Sequence, residues 1–568
     1  MSLLLALVLT AAPTLNPAEL KNDKLLGALV EELDRSKKSL PANPDAPLYY
    51  LAYRVADVQS FAVSASLGAL VDSQESVDPL SGKSRVLDVS VRVGSRKLDN
   101  THQLRGDRDF DFPRGFGPLP IDDEVEPLRI GLWRATDRAY KAAVKQLVKV
   151  KTNMQVKVVE ADLADDFTAD SPSVHLEPKW DGKFDRAEWT ARLKKLSALF
   201  KAYPDILSSQ VTLNGSGGTF YFVDSDGARL REPRFFARIF IAGQVKADDG
   251  MDLDLYEDLE ATSLDRLPND EVLTARVKRL IDRLLALKKA PTVEPYSGPA
   301  IITNRAAGVF FHEIFGHRIE GHRQKDADEG QTFTKKVGQP VLPEFLTVYD
   351  DPTRRAFGDL PLNGFYLFDE EGQPAQKASL IDHGVLKGFL LGRSPVKGFT
   401  KSNGHGRAQP GLPTVSRQGN LIVESAKQLP PKELRAMLLD EVKRQGKPYG
   451  LVFEEISGGF TNTRAGGAPQ AFKVLPLIVT RVYADGRPDE LVRGVDMVGT
   501  PLASFEKILA TGDDADVFNG FCGAESGWVP VSAIAPSLLV GSIEIEKKGK
   551  RHDRGPLLPS PLTAGGAK

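Results

Sequence analysis

Thirteen consecutive residues, Phe311–Arg323, read FHEIFGHRIEGHR and hold three of the chain's eight histidines together with two glutamates. Imidazole and carboxylate at this density can hold a divalent metal ion and move protons beside it. The stretch nearly repeats the zinc-peptidase pattern H-E-x-x-H, in which two histidines one helical turn apart share an ion. Here the second histidine comes one residue late. Helical residues advance about 100° each, so His312 and His317 would stand about 140° apart on a regular helix and face different sides. A π-type turn would bring them back toward register. Gly316, directly before His317, is the residue best able to absorb that distortion or to end the helix. On these residues alone two readings stand: a metal site with a local irregularity, or a His-rich helix whose rings are satisfied in the core or at the surface.

A catalytic zinc site takes three protein ligands and leaves one position for water. Cys522 is the chain's single cysteine, so it can form no disulfide within the chain. It lies in NGFCGAESGW, where Gly520, Gly523 and Gly527 would let a loop bring a thiolate close to an ion. An isolated cysteine is equally at home as a small buried hydrophobe. Arg407, in the Gly-rich turn GHGR with His405, could take a substrate carbonyl or carboxylate, or form a structural ion pair. Ser457, Gly458 and Gly459 follow a predicted strand, where an extended peptide could add itself to an exposed sheet edge.

These residues need a frame. Short alternating runs from Leu48 to Ser95 predict strands of a half-exposed antiparallel sheet. Helical periodicity marks 125–150, 185–202 and 269–289, with strands at 206–213, 219–223 and 235–245 and hairpin chemistry in DSDG at 224–227. Three prolines between Pro291 and Pro299 mark the main boundary near 291. Beyond it Asn304 is a candidate helix N-cap, one clear helix spans 431–445, and strand and turn signals dominate up to 548. The expected fold class is α+β: an N-terminal domain of mixed strands and helices over 20–290, then a strand-rich catalytic domain over 291–548 carrying the H-E-x-x-x-H helix, then a flexible tail over 549–568.

A length of 568 residues implies two to four domains, and 74 basic against 76 acidic residues give a net charge of −2. That balance lacks the basic surplus of a nucleic-acid binder, so no direct nucleic-acid partner is expected. The apolar run Leu3–Ala12 is too short to span a bilayer. It fits the core of a secretory signal over residues 1–12, with Thr10-Ala11-Ala12 as the cleavage site, so export is expected; a cytoplasmic chain beginning in a short buried helix is the alternative.

HEIFGHRIEG resembles the H-E-x-x-x-H motif of the TldD/PmbA family of metallopeptidases, on the motif-bearing TldD-like side. LIDHGVLKGFLLGR (380–393), GHGR (404–407), LVFEEISGGFTN (451–462), FKVLPLIVTRVYADGRPDELVRGVDMVG (472–499) and GFCGAESGWVPV (520–531) are similar to further blocks of that family, in its order. The N-terminal half is similar only in the order of its strands and helices. The resemblance implies a zinc peptidase acting on unfolded or small peptides. His312, His317 and Cys522 would be zinc ligands and Glu313 the general base acting on a zinc-activated water. Glu320 would hold a ligand histidine or cap the chain in solvent; His322 has no counterpart and is expected at the surface. The resemblance also implies a dimer, with itself or with a motif-lacking relative. The alternative it leaves is a non-catalytic zinc-bound scaffold or partner subunit.

Overall fold

The computed structural model describes residues 19, 22–40, 43–72, 82–104, 116–156, 164–325, 332–461, 472–549, 558 and 560–563. The signal-like segment 1–12 and most of the tail lie outside the described residues.

The first half is built on one strongly bonded antiparallel sheet. Its core is β1 (Leu48–Ser66), β2 (Gly82–Val93), β3 (Ser208–Asp224), β4 (Arg229–Lys246) and β5 (Asp252–Ala261), in the order β2-β1-β3-β4-β5. The sequence suggested short runs in this region, whereas β1 continues through the polar stretch Asp57–Ser60. There it is paired on both sides, to β2 and to β3, so ladder bonds outweigh the local lack of alternation. The DSDG segment does close the β3–β4 hairpin. Asp224 Oδ1 accepts from the Gly227 and Ala228 N–H groups at 2.8 Å each.

Two helix pairs cover this sheet. α1 (Lys24–Ser39) and α2 (Val125–Val156) bury Leu25, Leu29, Leu33, Leu128 and Leu132 over Leu51, Tyr53 and Val55. α3 (Arg186–Ser197) and α4 (Asp270–Lys289) bury Trp189, Leu193, Val277, Leu280 and Leu284 over Val63, Val211, Leu213 and Ile239. The apolar positions recur at helical spacing, and that stripe is what each helix turns to the sheet.

The second half places one helix between two sheets. One sheet holds β6 (Tyr296–Ile302), β9 (Gly450–Thr461), β10 (Phe472–Val482), β11 (Val495–Gly499) and β14 (Leu538–Lys547), with β6 bonded to both β9 and β14. The other holds β7 (Leu346–Asp350), β8 (Asn420–Ser425), β12 (Asp516–Ala524) and β13 (Gly527–Ala535), in the order β7-β8-β13-β12. α5 (Asn304–Ile314) packs against strands of both. Its sequence, NRAAGVFFHEI, is apolar nearly all round, as a helix sheathed on every side must be. Phe310 and Phe311 reach Phe472 and Phe505 in the core, and every residue from Ala306 to Ile314 except Glu313 is buried. α6 (Pro431–Arg444) lies outside this layer with Leu434, Leu438 and Val442 inward. Among the described residues no helix is long and apolar enough to cross a membrane.

Candidate metal centre

α5 begins at Asn304 itself, so the cap position lies one residue earlier than the sequence suggests. Thr303 is the extended residue before the helix, and Asn304 turns its side-chain amide to the Asp514 carbonyl at 2.7 Å. The helix stops at Ile314, and Gly316–Arg318 forms a 3₁₀ turn. The irregularity expected at Gly316 is therefore a helix end followed by a tighter turn, not a π-turn. The reason lies outside the segment: a Cβ on Gly316 would come within 1.9 Å of Gln418 Oε1. Gln418 is fully buried, and its amide also approaches the His312 carbonyl at 3.4 Å. Only glycine admits this side chain against the turn. Gly316→Ala should therefore overpack a sealed site and destabilise the fold by about 1–3 kcal/mol. Its denaturant midpoint would report this, and an unchanged midpoint would show that Gln418 can move aside.

The break swings the two rings together. The His312 and His317 centroids are 5.1 Å apart at an interplanar angle of 76°. Cys522 completes the group: its Sγ lies 3.3 Å from His317 Nε2, and one donor atom from each of the three residues falls within 4.8 Å of the others. All three are buried. Cys522 is not on a loop, as its glycine neighbours suggested. It belongs to β12, opposite Val529 of β13, and Gly520 and Gly523 are strand positions. Burial opposes charge on the Cys522 thiol, but His317 and His312 outweigh it and hold the thiol well below its usual range. The rings respond in kind: burial pushes both down, and the facing thiolate raises both. The cluster thus favours the sulfur in its ligating form. His312 Nδ1 is buried without a hydrogen-bond partner among the described residues.

A layer of charge fixes these groups. The Glu320 carboxylate stands 3.3 Å from His317 Nδ1, which leaves Nε2 to face the sulfur. Burial alone would raise the Glu320 carboxyl, yet His317, Arg323 and Arg417 bring it down to about 2. Glu320 is therefore an anion in the core. Arg323 Nε donates to it at 2.9 Å, and Arg417 Nε lies 3.4 Å away. Arg417 is fully buried and joins the two halves of the cluster: its Nη2 donates to the Cys522 carbonyl at 2.7 Å and its Nη1 to Ser526 Oγ at 2.8 Å. Glu525, beyond Cys522, binds His322 and accepts from Arg323 Nη2 at 3.0 Å. His322, expected at the surface, is thus half-buried in this network. Nothing in the local sequence marks Arg417 or Glu525; only the fold brings them within reach.

Glu313 is half-buried on the turn that carries His312. Gly459 of β9 lies against it, so that a Cβ there would be 2.8 Å from Glu313 Cγ. Ser457 and Gly458 form a bulge in β9, unpaired between Ile456↔Pro476 and Gly459↔Val474. The Ser457 carbonyl accepts from Tyr256 of β5 at 3.1 Å, and Gly458 adopts a φ of +152°. Past Phe453, where β6 ends its pairing, this edge of β9 meets no strand among the described residues. Arg407 does not share that neighbourhood. It is buried over Tyr366, and its Nη1 donates to the Gln418 and Pro530 carbonyls at 2.7 Å each. In this position its guanidinium braces two backbone segments. His405 is likewise internal, held between Asp350 and Asn403.

Known proteins resemble this chain in sequence and in fold. Residues 295–547 match the family model described as the PmbA/TldA metallopeptidase C-terminal domain. A metalloprotease of Archaeoglobus fulgidus is 29% identical over 255 residues, 44% of this chain and 54% of that protein. A protein of Buchnera aphidicola named as a metalloprotease TldD homolog is 28% identical over 269 residues, 46% of this chain and 51% of its own length. The chain thus spans about half the length of the curated relatives it matches. The crystal structure of TldE from Thermococcus kodakarensis superposes with a TM-score of 0.59 over 91% of this chain and 100% of that one. Their sequences are 14% identical, so that likeness concerns the α+β fold alone. With the motif helix and the domain around it both accounted for, residues 295–547 of the chain form a domain of the PmbA/TldA metallopeptidase C-terminal type.

Proposed function

We propose that the protein is a zinc-dependent peptidase of unfolded or small peptides, with His312, His317 and Cys522 as ligands and Glu313 as general base. The observation that carries this reading is the convergence of three buried donor atoms within 4.8 Å, drawn from segments 205 residues apart, beside a half-buried glutamate. The donor set suits zinc. Ligand distances of about 2.3 Å to sulfur and about 2.0 Å to nitrogen put tetrahedral S and N atoms about 3.5 Å apart. The 3.3 Å between Cys522 Sγ and His317 Nε2 fits that spacing. When bound, the ion would supply a Lewis acid for the scissile carbonyl and lower the pKa of a water to about 7.

The chain's own residues do the rest. Glu320 and Arg417 keep the ligands oriented, so that little rearrangement is needed at each turnover. Glu313 takes the proton from the attacking water and returns it to the leaving amine. The edge of β9 at Ser457–Gly459, which meets no strand among the described residues, receives the peptide as an added strand, which reads backbone and tolerates varied side chains. A dimer, with itself or with a motif-lacking relative, belongs to this reading. Chelation tests the whole of it. Stripping the metal should stop hydrolysis of short unstructured peptides, and stoichiometric zinc should restore it. Hydrolysis that survives complete metal removal would dismiss the proposal.

A further inference from the structure

An open cleft lies at the far end of α5 from the metal ligands. Arg305, in the first turn of α5, lines it together with Tyr256 and Asp258 of β5, Glu455 and Ile456 of β9, and Phe518 of β12. The cleft and the metal cluster are thus strung along the same helix and the same strand. Glu313 meets β9 at Gly459, and Arg305 shares the cleft with Glu455. Two rulers give the separation. The eight helical steps from Arg305 to Glu313 rise about 12 Å, and the four strand residues from Glu455 to Gly459 span about 13 Å. A peptide added along this edge with its cleaved bond beside Glu313 would carry a residue about four positions away over the cleft.

The charges there are unevenly matched. Glu257 is gripped by Arg279 at 2.6 Å and approached by Arg276 at 3.4 Å, and Glu455 is gripped by Arg283 at 2.6 Å. Among the described residues the Arg305 guanidinium pairs only with Asp258, at 3.6 Å, and Asp258 is itself 3.9 Å from Arg238. The Arg305 side chain is 39% exposed. Each acid in the cleft therefore already faces a guanidinium, and Arg305 has the loosest partner of the guanidinium groups that line it. A carboxylate entering the cleft can make the paired hydrogen bonds that a planar guanidinium favours and that Asp258 does not reach. Ile456 and Phe518 offer apolar contact to its stem.

We propose that this cleft is a subsite for a carboxylate of the bound peptide and that Arg305 receives it. The inference rests on the peptidase reading and deepens it. The carboxylate is either an Asp or Glu side chain or the free C-terminus of the peptide.

The test is fluorescence anisotropy on the full-length, zinc-loaded protein with three labelled short peptides: one capped at its C-terminus and carrying a glutamate, the same with glutamine, and the glutamine peptide with a free C-terminus. One of the carboxylate-bearing peptides should bind about tenfold more tightly than the capped glutamine peptide, and which one identifies the source. R305E should abolish or invert that ratio with zinc content unchanged, and R305Q, which sets no new charge beside Asp258, should bring it close to one. Equal affinity for all three peptides, or a ratio untouched by R305E and R305Q, overturns the proposal. Hydrolysis followed in parallel separates the two readings. Discrimination in binding without any hydrolysis by the zinc-loaded parent counts against the peptidase and supports the subsite; hydrolysis without discrimination removes the subsite alone.

Discussion

Glu313→Gln should leave a folded protein that still holds zinc but turns over peptide about 10²–10⁴-fold more slowly. The carboxylate makes no hydrogen bond among the described residues, so its loss leaves no structural partner stranded. Glutamine keeps the shape for which Gly459 makes room, since a Cβ there would come within 2.8 Å of Glu313 Cγ. What it removes is the ability to accept a proton from water and return one to the leaving amine. Single-turnover rates at saturating peptide, measured beside the metal content of the same preparation, separate the possibilities. Undiminished turnover would move the base to another residue. Loss of zinc would make Glu313 part of the holding apparatus instead.

Cys522→Ser acts on the other side of the same balance. A serine hydroxyl is a far poorer zinc ligand than a thiolate. The loss of a partner behind a ligand typically lowers affinity 10–100-fold, so the loss of the ligand itself should cost more than about 100-fold. Competition with a chromophoric chelator would measure it. The change also reaches the metal-free protein. Burial disfavours charge on His312 and His317, and the thiolate is the first group that raises them again. Without it His317 keeps Glu320 at 3.3 Å, whereas His312 loses the anion facing it. The zinc-induced rise in unfolding temperature, which follows from binding to the native state alone, should shrink toward zero. A variant that keeps stoichiometric zinc and the full thermal shift would strike the sulfur from the ligand set.

Some of this was legible in the chain and some was not, for identifiable reasons. The helices at 125–156, 186–197, 270–289 and 431–444 announce themselves because an amphipathic stripe is a local property. The pairing of His312 with His317 was readable as a question, since their spacing demands a break and Gly316 permits one. The kind of break was not, because Gln418, a hundred residues downstream, decides it. Cys522 looked like a loop residue among glycines, yet strand pairing with Val529 holds it. Arg407 looked available to substrate because a sequence does not say which guanidinium the sheets will enclose. Arg417 and Glu525 carried no signal at all: their value lies in reaching across the fold to Cys522, Glu320 and Arg323.

The bond from the Tyr256 hydroxyl to the Ser457 carbonyl has a practical corollary. One wall of the cleft beside α5 comes from the sheet that precedes the family domain. A recombinant fragment trimmed to residues 295–547 would retain all three candidate ligands and yet leave that flank of the cleft unroofed. If the proposed peptidase reading holds, attempts to retune its specificity should begin upstream, in the strand that holds Tyr256.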